Sequence, residues 1–191
     1  MSLVLHLLLI WLIVNLVITL FLYQSWLYER RCHPDHAHLD GGCERLSFFV
    51  VVIAIVRETL TFMVMQLCYP TSWWLDRHQP TLPKDSNTPI LLVHGFACNS
   101  SCLLWLKWRL QQNGHRRVRA VSYVPPAGNV HKLVPQIKRH IRQLLDDTGA
   151  TRIHYIAHSM GGRLVRDVLA DPDFADCIDK VICLGSPHHG S

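Results

Sequence analysis

The residues that most directly suggest chemistry are those from Tyr155 to Gly162, which read Tyr-Ile-Ala-His-Ser-Met-Gly-Gly. An apolar run leads into a turn of small residues with Ser159 at its tip, and a helical pattern follows. A sharp strand-to-helix turn of this kind presents a serine hydroxyl as a nucleophile. The turn needs small neighbours because the two backbones come close, and Ala157 and Gly161 meet that need. A buried structural serine at a helix N-terminus is the alternative.

A second motif, His94-Gly95-Phe96, follows another apolar run about 65 residues before the serine. In this architecture, the turn after that strand donates one backbone N–H to the oxyanion, and the residue after the nucleophile donates the other. We therefore predict Phe96 and Met160 as oxyanion-hole residues, acting through their amides. Two donors already in place at a developing negative charge can lower the reaction barrier by several kcal/mol.

The elements that must position these residues alternate between short apolar runs and helical patterns. Strands are predicted over 89–93, 118–124, 152–157 and 180–184, and helices over 101–112, 129–147 and 160–169. Pro135 is expected in the first turn of its helix, where a missing N–H is tolerated. Strands and helices that alternate with short connections predict an α/β fold, a parallel sheet covered by helices.

Four segments in this part of the chain carry a family resemblance. They are Pro89-Ile-Leu-Leu-Val-His94-Gly95-Phe96, Leu144-Leu-Asp-Asp-Thr-Gly-Ala150, Ile156-Ala-His-Ser159-Met-Gly-Gly162 and Leu184-Gly-Ser-Pro-His-His-Gly-Ser191. In this order they resemble bacterial triacylglycerol lipases and carboxylesterases of the α/β-hydrolase superfamily. The resemblance covers 88–191 and implies a partial α/β-hydrolase fold. It also implies hydrolysis of lipid or short-chain carboxylic esters through an acyl-enzyme at Ser159, with neither a cofactor nor a metal.

The catalytic base and acid stay unassigned. Family members place the acid after a later strand and the histidine after the last one, whereas this chain offers only His188 and His189 beyond its fourth predicted strand. His158 points away from the serine in such turns. We therefore expect the 191 residues to be the N-terminal half of a hydrolase domain, inactive alone and completed by a separate chain. The alternative is a non-enzymatic, membrane-anchored fragment or interaction protein.

Two groups of side chains contain potential metal ligands, but neither has the spacing of a metal site. One is the loop from Cys32 to Cys43 with its three histidines, and the other is the pair His188-His189. Adjacent histidines on a turn rarely converge on one ion, and the loop matches no zinc module. We predict no metal, and read the loop as solvated.

The first 74 residues have the composition of a membrane-anchoring region. No Asp, Glu, Lys or Arg occurs before Glu29, and the apolar run of about 3–26 is long enough to cross a bilayer. A cleaved signal peptide is the rival interpretation, but the basic start and the small-residue cleavage site are missing. A second run, about 46–67, contains Arg57-Glu58 and either completes a membrane hairpin or lies at the interface. A linker over 75–87 and the hydrolase segment 88–191 follow.

Membrane orientation stays open at this level. Arg30, Arg31 and Arg45 flank the loop between the two runs, so the positive-inside rule places that loop in the cytoplasm. Two spans would then put the hydrolase segment in the periplasm of a bacterium, and one span would keep it in the cytoplasm. We predict a membrane location, the bacterial inner membrane, without assigning the side.

Aromatic and basic residues suggest further contacts with lipid. Tyr69, Trp73 and Trp74 suit the headgroup level. The net charge is +5, and residues 107–142 contain nine Lys and Arg but no acid. This basic region could attract anionic headgroups or could form solvated helix faces. Nucleic-acid binding has no supporting motif.

Overall fold

The computed structural model describes residues 3–32, 47–84 and 87–187, and the chain divides into two compact units, Met1–Leu67 and Cys68–Ser191. The first unit is built from helices α1 (Leu3–Cys32) and α2 (Phe48–Cys68). The apolar stretches Leu3–Tyr28 and Phe48–Cys68 are long and apolar enough to cross a membrane. At 1.5 Å per residue they extend about 39 Å and about 32 Å, against a hydrocarbon core of about 30 Å. A signal sequence would satisfy the same criteria for α1.

Polar side chains join α1 to α2. The hydrogen-bonded pairs are Trp11–Gln66, Asn15–Gln66, Thr19–Thr59 and Tyr23–Glu58. Since the partner's number falls along α2 as the number rises along α1, the two helices are antiparallel. Asn15, Thr19 and Thr59 are buried, whereas most of the large apolar side chains of both helices are exposed. Polar groups that face the partner helix while apolar groups face outward are typical of helices packed in lipid.

The second unit contains the sheet. Its elements are α3 (Thr71–Arg77), β1 (Ile90–Val93), a 3-10 helix (Ser100–Leu103), α4 (Leu104–Gln112), β2 (Val118–Val121), α5 (Val130–Thr148), β3 (Ile153–His158), α6 (Met160–Leu169), α7 (Pro172–Ala175) and β4 (Ile178–Leu184). The strand order is β2-β1-β3-β4, and all three pairings are parallel. The predicted fold class is confirmed. The predicted domain boundaries at residues 74 and 87 remain predictions.

Several element boundaries differ from the prediction for local reasons. The strand predicted over 118–124 stops at Val121, where its neighbour β1 also ends, and the two prolines that soon follow have no N–H for a ladder. The helix predicted from residue 101 begins as a 3-10 turn, because Asn99 accepts a hydrogen bond from the Ser101 amide. Pro135 lies in the second turn of α5, not the first, at an exposed position.

The core holds the sheet rigidly between helices. Helix α5 buries Leu133, Ile137, Ile141 and Leu144 completely, at the spacing of one helical face. Burial of one such side chain contributes roughly 1.5–3 kcal/mol. Asn129 caps the start of helix α5, and Gly149, whose φ is 66°, caps its end after Thr148. The packed core therefore supports the ends of β1 and β3.

Candidate active site

Ser159 lies at the turn between β3 and α6 in a strained backbone conformation, with φ 49° and ψ −118°. A non-glycine residue in such a region costs about 1–3 kcal/mol unless its surroundings hold it there. Two hydrogen bonds do so: the Ser159 amide donates to the Leu184 carbonyl at 2.9 Å, and the Gly162 amide donates to the Ser159 carbonyl at 3.0 Å. The sequence motif therefore folds into a sharp strand-to-helix turn.

Gly161 is required because α6 passes very close to the end of β1. A Cβ at this position would lie 2.8 Å from the Val93 carbonyl oxygen and 2.9 Å from that of His94. Those are backbone atoms, so an added methyl group could be accommodated only by moving β1 or α6. The sequence predicts a small residue at this position, and Gly161 allows α6 to approach the end of β1 closely.

The turn after β1 lies directly beside the serine. A Cβ on Gly95 would be 2.9 Å from the Ser159 Cβ, so the chain that enters Phe96 passes against Ser159. Met160 is the first residue of α6, where backbone N–H groups lack acceptors within the helix. In the described ranges, neither the Phe96 amide nor the Met160 amide donates a backbone hydrogen bond. Their oxyanion-hole role remains a prediction.

His94 and Tyr123 fix the peptide that carries the Phe96 amide. The Gly95 carbonyl accepts from His94 Nδ1 at 2.8 Å and from the Tyr123 hydroxyl at 2.9 Å. The Tyr123 amide donates to His94 Nε2 at 3.3 Å, which leaves the ring neutral with its proton on Nδ1. The C=O and N–H of a trans peptide point in opposite directions, so anchoring the Gly95 carbonyl sets the direction of the Phe96 N–H.

Tyr123 had no distinguishing signal in the sequence, where it was one residue of the strand predicted over 118–124. Its ring stacks on His94 with the centroids 3.9 Å apart, and both side chains are buried. Burial raises the pKa of Tyr123 above its ordinary value, so its hydroxyl keeps the proton that it donates. A residue that follows β2 thus fixes the Gly95 carbonyl after the neighbouring strand β1.

Replacing Tyr123 with phenylalanine removes the donor to Gly95 and keeps the stacked ring. We expect the second unit to lose about 1–2 kcal/mol of stability, because a buried carbonyl loses one partner. This corresponds to a fall of roughly 5 °C or more in melting temperature, measured by thermal unfolding in detergent. Tyr69→Phe, at a partly exposed ring, is the control and should melt as the parent does. Equal melting of both variants would contradict the anchoring role.

Stability should also depend on pH through His94. Burial lowers its pKa from the ordinary value of 6.5 to about 4. The unfolded chain thus binds a proton near pH 6.5 and the folded chain only near pH 4, so stability is complete above about pH 6.5 and is lost as the pH falls toward 4. From pH 7 to pH 5 we expect a loss of about 2 kcal/mol from His94.

Melting temperatures at the two pH values measure this effect. The pKa values of His140 and His158 are lowered by burial too and add in the same direction. His94→Gln should be less stable at pH 7 but should lose less on acidification. His115→Gln, at an exposed histidine, should keep the parental loss. An unchanged loss in His94→Gln would show that other groups cause it.

No side chain in the described ranges accepts the Ser159 hydroxyl proton through a hydrogen bond. His158 is adjacent to Ser159 in sequence, but its Nδ1 lies next to Gly95. A Cβ built on Gly95 would be 2.9 Å from this nitrogen. The residues His188 and His189 lie outside the described ranges, so the structure does not test them. Two of the aspartates after the serine are engaged elsewhere: Asp171 pairs with Lys138 at 2.5 Å, and Asp179 lies 3.3 Å from His154 Nδ1.

Metal binding gains no support from the residues that the structure describes, where no group of three potential ligand side chains converges. Cys43 and the histidines of the loop after Cys32 lie outside these residues. The expected absence of a metal therefore stays a prediction.

The parallel sheet, its flanking helices and the serine turn are similar to the arrangement found in α/β hydrolases. Residues 127–191 match the family described as the PGAP1-like alpha/beta domain. The predicted resemblance to the lipase and carboxylesterase group of α/β hydrolases is confirmed at the level of the fold.

Two solved structures of one lipase share this fold. The Bacillus licheniformis lipase BlEst2 in its mature form matches with a TM-score of 0.51 at 22% identity, over 59% of this chain and 46% of the lipase. Its propeptide form matches with the same TM-score and identity, over 59% and 25%. The carboxylesterase CesB (YbfK) from Bacillus subtilis overlaps at a TM-score of 0.36 and 16% identity, over 63% and 48%. The chain thus spans less than half the length of the mature lipase that it matches.

Proposed function

We propose that this protein is a lipase- or esterase-like serine hydrolase with Ser159 as its nucleophile. The observation that carries the proposal is the strained turn itself: a serine at φ 49°, between β3 and α6, packed against the turn after β1. A conformation that costs free energy and is held by several contacts marks a functional position more often than a structural one.

The reaction that we propose combines the Ser159 turn with a histidine base that the described residues do not supply. A histidine base removes the Ser159 proton as Oγ attacks the ester carbonyl carbon, and the carbonyl oxygen becomes an oxyanion. The amides of Phe96 and Met160 donate to that oxygen. Collapse of the intermediate expels the alcohol and leaves an acyl group on Ser159, which water then removes as a carboxylic acid.

The base is not among the side chains seen next to the serine, so we infer that the 191 residues alone hydrolyse esters slowly or not at all. A polypeptide that supplies a late aspartate and histidine would complete the site. The four-stranded sheet leaves room for it, because β4 has a single described neighbour, β3, and exposes Val181, Ile182 and Leu184.

The substrate class that we propose is a lipid or short-chain carboxylic ester. The lipase fold supports ester chemistry, and the paired helices of the first unit support a location in the membrane, where lipid esters are concentrated. Within that unit the polar pairs favour a hairpin of two spans over a single span with an interfacial helix.

Hydrolysis of p-nitrophenyl butyrate tests the proposal. Turnover that depends on Ser159 supports the enzyme, whether it is given by the 191 residues alone or by these residues with an added polypeptide that carries an aspartate and a histidine. The second candidate, a non-enzymatic interaction protein, is favoured by the absence of a described base beside Ser159. It predicts no turnover in any combination.

A further inference from the structure

Helix α4 presents aromatic side chains outward. It packs on the core through Leu106 and Leu110, which are partly buried. Trp105 and Trp108 are 70% and 44% exposed, and their rings stack with centroids 4.8 Å apart. Spacings of three and four residues place these two rings and the exposed Arg109 on one face of the helix. The outward face of α4 is therefore aromatic and basic.

Helix α3 adds a second set of exposed rings. Trp73 and Trp74 are 65% and 57% exposed, and Tyr69, just before the helix, is 41% exposed. The Arg77 guanidinium lies 3.7 Å from the centroid of the Trp73 ring. Such a cation–π contact keeps a positive charge next to an aromatic surface.

The two helices are fixed to each other by contacts through the 3-10 helix that precedes α4. The Asn99 side-chain amide donates to the Tyr69 carbonyl at 2.9 Å, and the Ser100 hydroxyl donates to the Asp76 carboxylate at 2.7 Å. The rings of α3 and α4 thus belong to one body. We call the exposed side chains of Tyr69, Trp73, Trp74, Arg77, Trp105 and Trp108 the aromatic-basic surface.

Large exposed aromatic patches mark contacts with proteins or with membranes. Charge favours the membrane: residues 68–120 contain five Lys and Arg besides the buried Arg117 and Arg119, but only Asp76 and Asp85 as acids. Tryptophan and tyrosine prefer the headgroup level, and each nearby Lys or Arg adds about 1 kcal/mol of attraction to an anionic leaflet. Asp76 already accepts the Ser100 hydrogen bond, so its carboxylate has a partner inside the fold.

Chain connectivity gives a second, independent reason. Only Tyr69 and Pro70 separate Cys68, the last residue of the apolar helix α2, from Thr71, the first residue of α3. Three peptide steps cover at most about 10 Å. If α2 ends at the edge of the hydrocarbon core, α3 begins in the headgroup layer, which is about 5–8 Å deep, or within a few ångströms of it.

We propose that the aromatic-basic surface docks on the anionic headgroups of a lipid bilayer and holds the hydrolase unit against the membrane. Trp105 and Trp108 enter the interface, and Arg77 and Arg109 face lipid phosphates. The proposal concerns the surface alone and does not depend on catalysis by Ser159.

Site-specific photo-cross-linking tests the docking. The full chain in the Ser159→Ala background carries p-benzoylphenylalanine in place of Trp105 or Trp108, and is reconstituted in vesicles of phosphatidylcholine with phosphatidylglycerol. Mass spectrometry after irradiation measures lipid adducts. The matched control carries the same probe at Arg139, an exposed position on α5.

We expect adducts at positions 105 and 108 at least tenfold more frequent than at 139, and enriched in phosphatidylglycerol over its share of the vesicle. Arg77→Gln with Arg109→Gln should reduce that enrichment, while the probes at 105 and 108 still form adducts with lipid. Absence of adducts at 105 and 108, or equal yields at 139, would overturn the proposal. Adducts without phosphatidylglycerol enrichment would overturn its anionic part. Adducts with protein in place of lipid would assign the surface to a protein partner.

Discussion

Ester hydrolysis is expected to fall by at least about a thousandfold when Ser159 is replaced by alanine, because the acyl-enzyme can then no longer form. Ser159 carries the strained φ of 49° at the β3–α6 turn, and no other described serine combines such a conformation with the turn after β1. The measurement is kcat/KM on p-nitrophenyl butyrate, for the 191 residues alone and together with any polypeptide that gives them turnover.

Two controls make this result interpretable. Ser101→Ala changes a serine in the 3-10 helix of the same unit and should leave turnover within a few-fold of the parent. Ser159→Ala should keep the parental melting temperature or raise it. In the described ranges the Ser159 Oγ makes no hydrogen bond, so alanine removes none. Turnover retained by Ser159→Ala would remove the serine from the mechanism. Serine-dependent turnover by the 191 residues alone would show that a base lies within them.

Gly161→Ala is expected to destabilise the second unit by about 2–3 kcal/mol. The added Cβ would stand 2.8 Å from the Val93 carbonyl oxygen and 2.9 Å from that of His94, both backbone atoms at the end of β1. Relief requires a shift of β1 or α6, and either movement displaces the peptides beside Ser159. We therefore expect a melting temperature lower by about 10 °C together with loss of hydrolysis.

Arg163→Ala, two residues later on the exposed face of α6, is the matched control and should change neither quantity by much. Gly161→Val should be worse than Gly161→Ala, because its branches add atoms at the same contact. A Gly161→Ala protein that melts with the parent would show that the approach of α6 to β1 is loose.

The order of strands and helices around Ser159 could be predicted from the sequence because each apolar run is short, buried and bounded by turn residues. Helix α6 was predicted from Met160 to Leu169 and has those bounds in the structure. Errors arose where a side chain or a neighbouring strand decides the boundary. The Asn99 cap makes residues 100–103 a 3-10 turn, and the end of β1 stops β2 at Val121.

The pairing of α1 with α2 needed the tertiary structure. Hydropathy gave two apolar runs and left the second as either a span or an interfacial helix. The structure shows which polar side chains pair between the helices. For example, the Thr59 hydroxyl of α2 donates a hydrogen bond to the Thr19 hydroxyl of α1. Which polar residues of two helices meet depends on their register and rotation, and a single sequence contains neither.

By itself, the sequence determined the class of fold and the candidate nucleophile, because a serine between a buried strand and a helix, flanked by small residues, allows few other readings. The tertiary structure alone decided how that serine is supported. In the structure Gly95 lies against Ser159, and Gly161 lies against the Val93 carbonyl oxygen. The Tyr123 hydroxyl donates a hydrogen bond to the Gly95 carbonyl. These contacts join residues 28 to 68 positions apart, so only the folded sheet brings them within hydrogen-bonding or van der Waals distance.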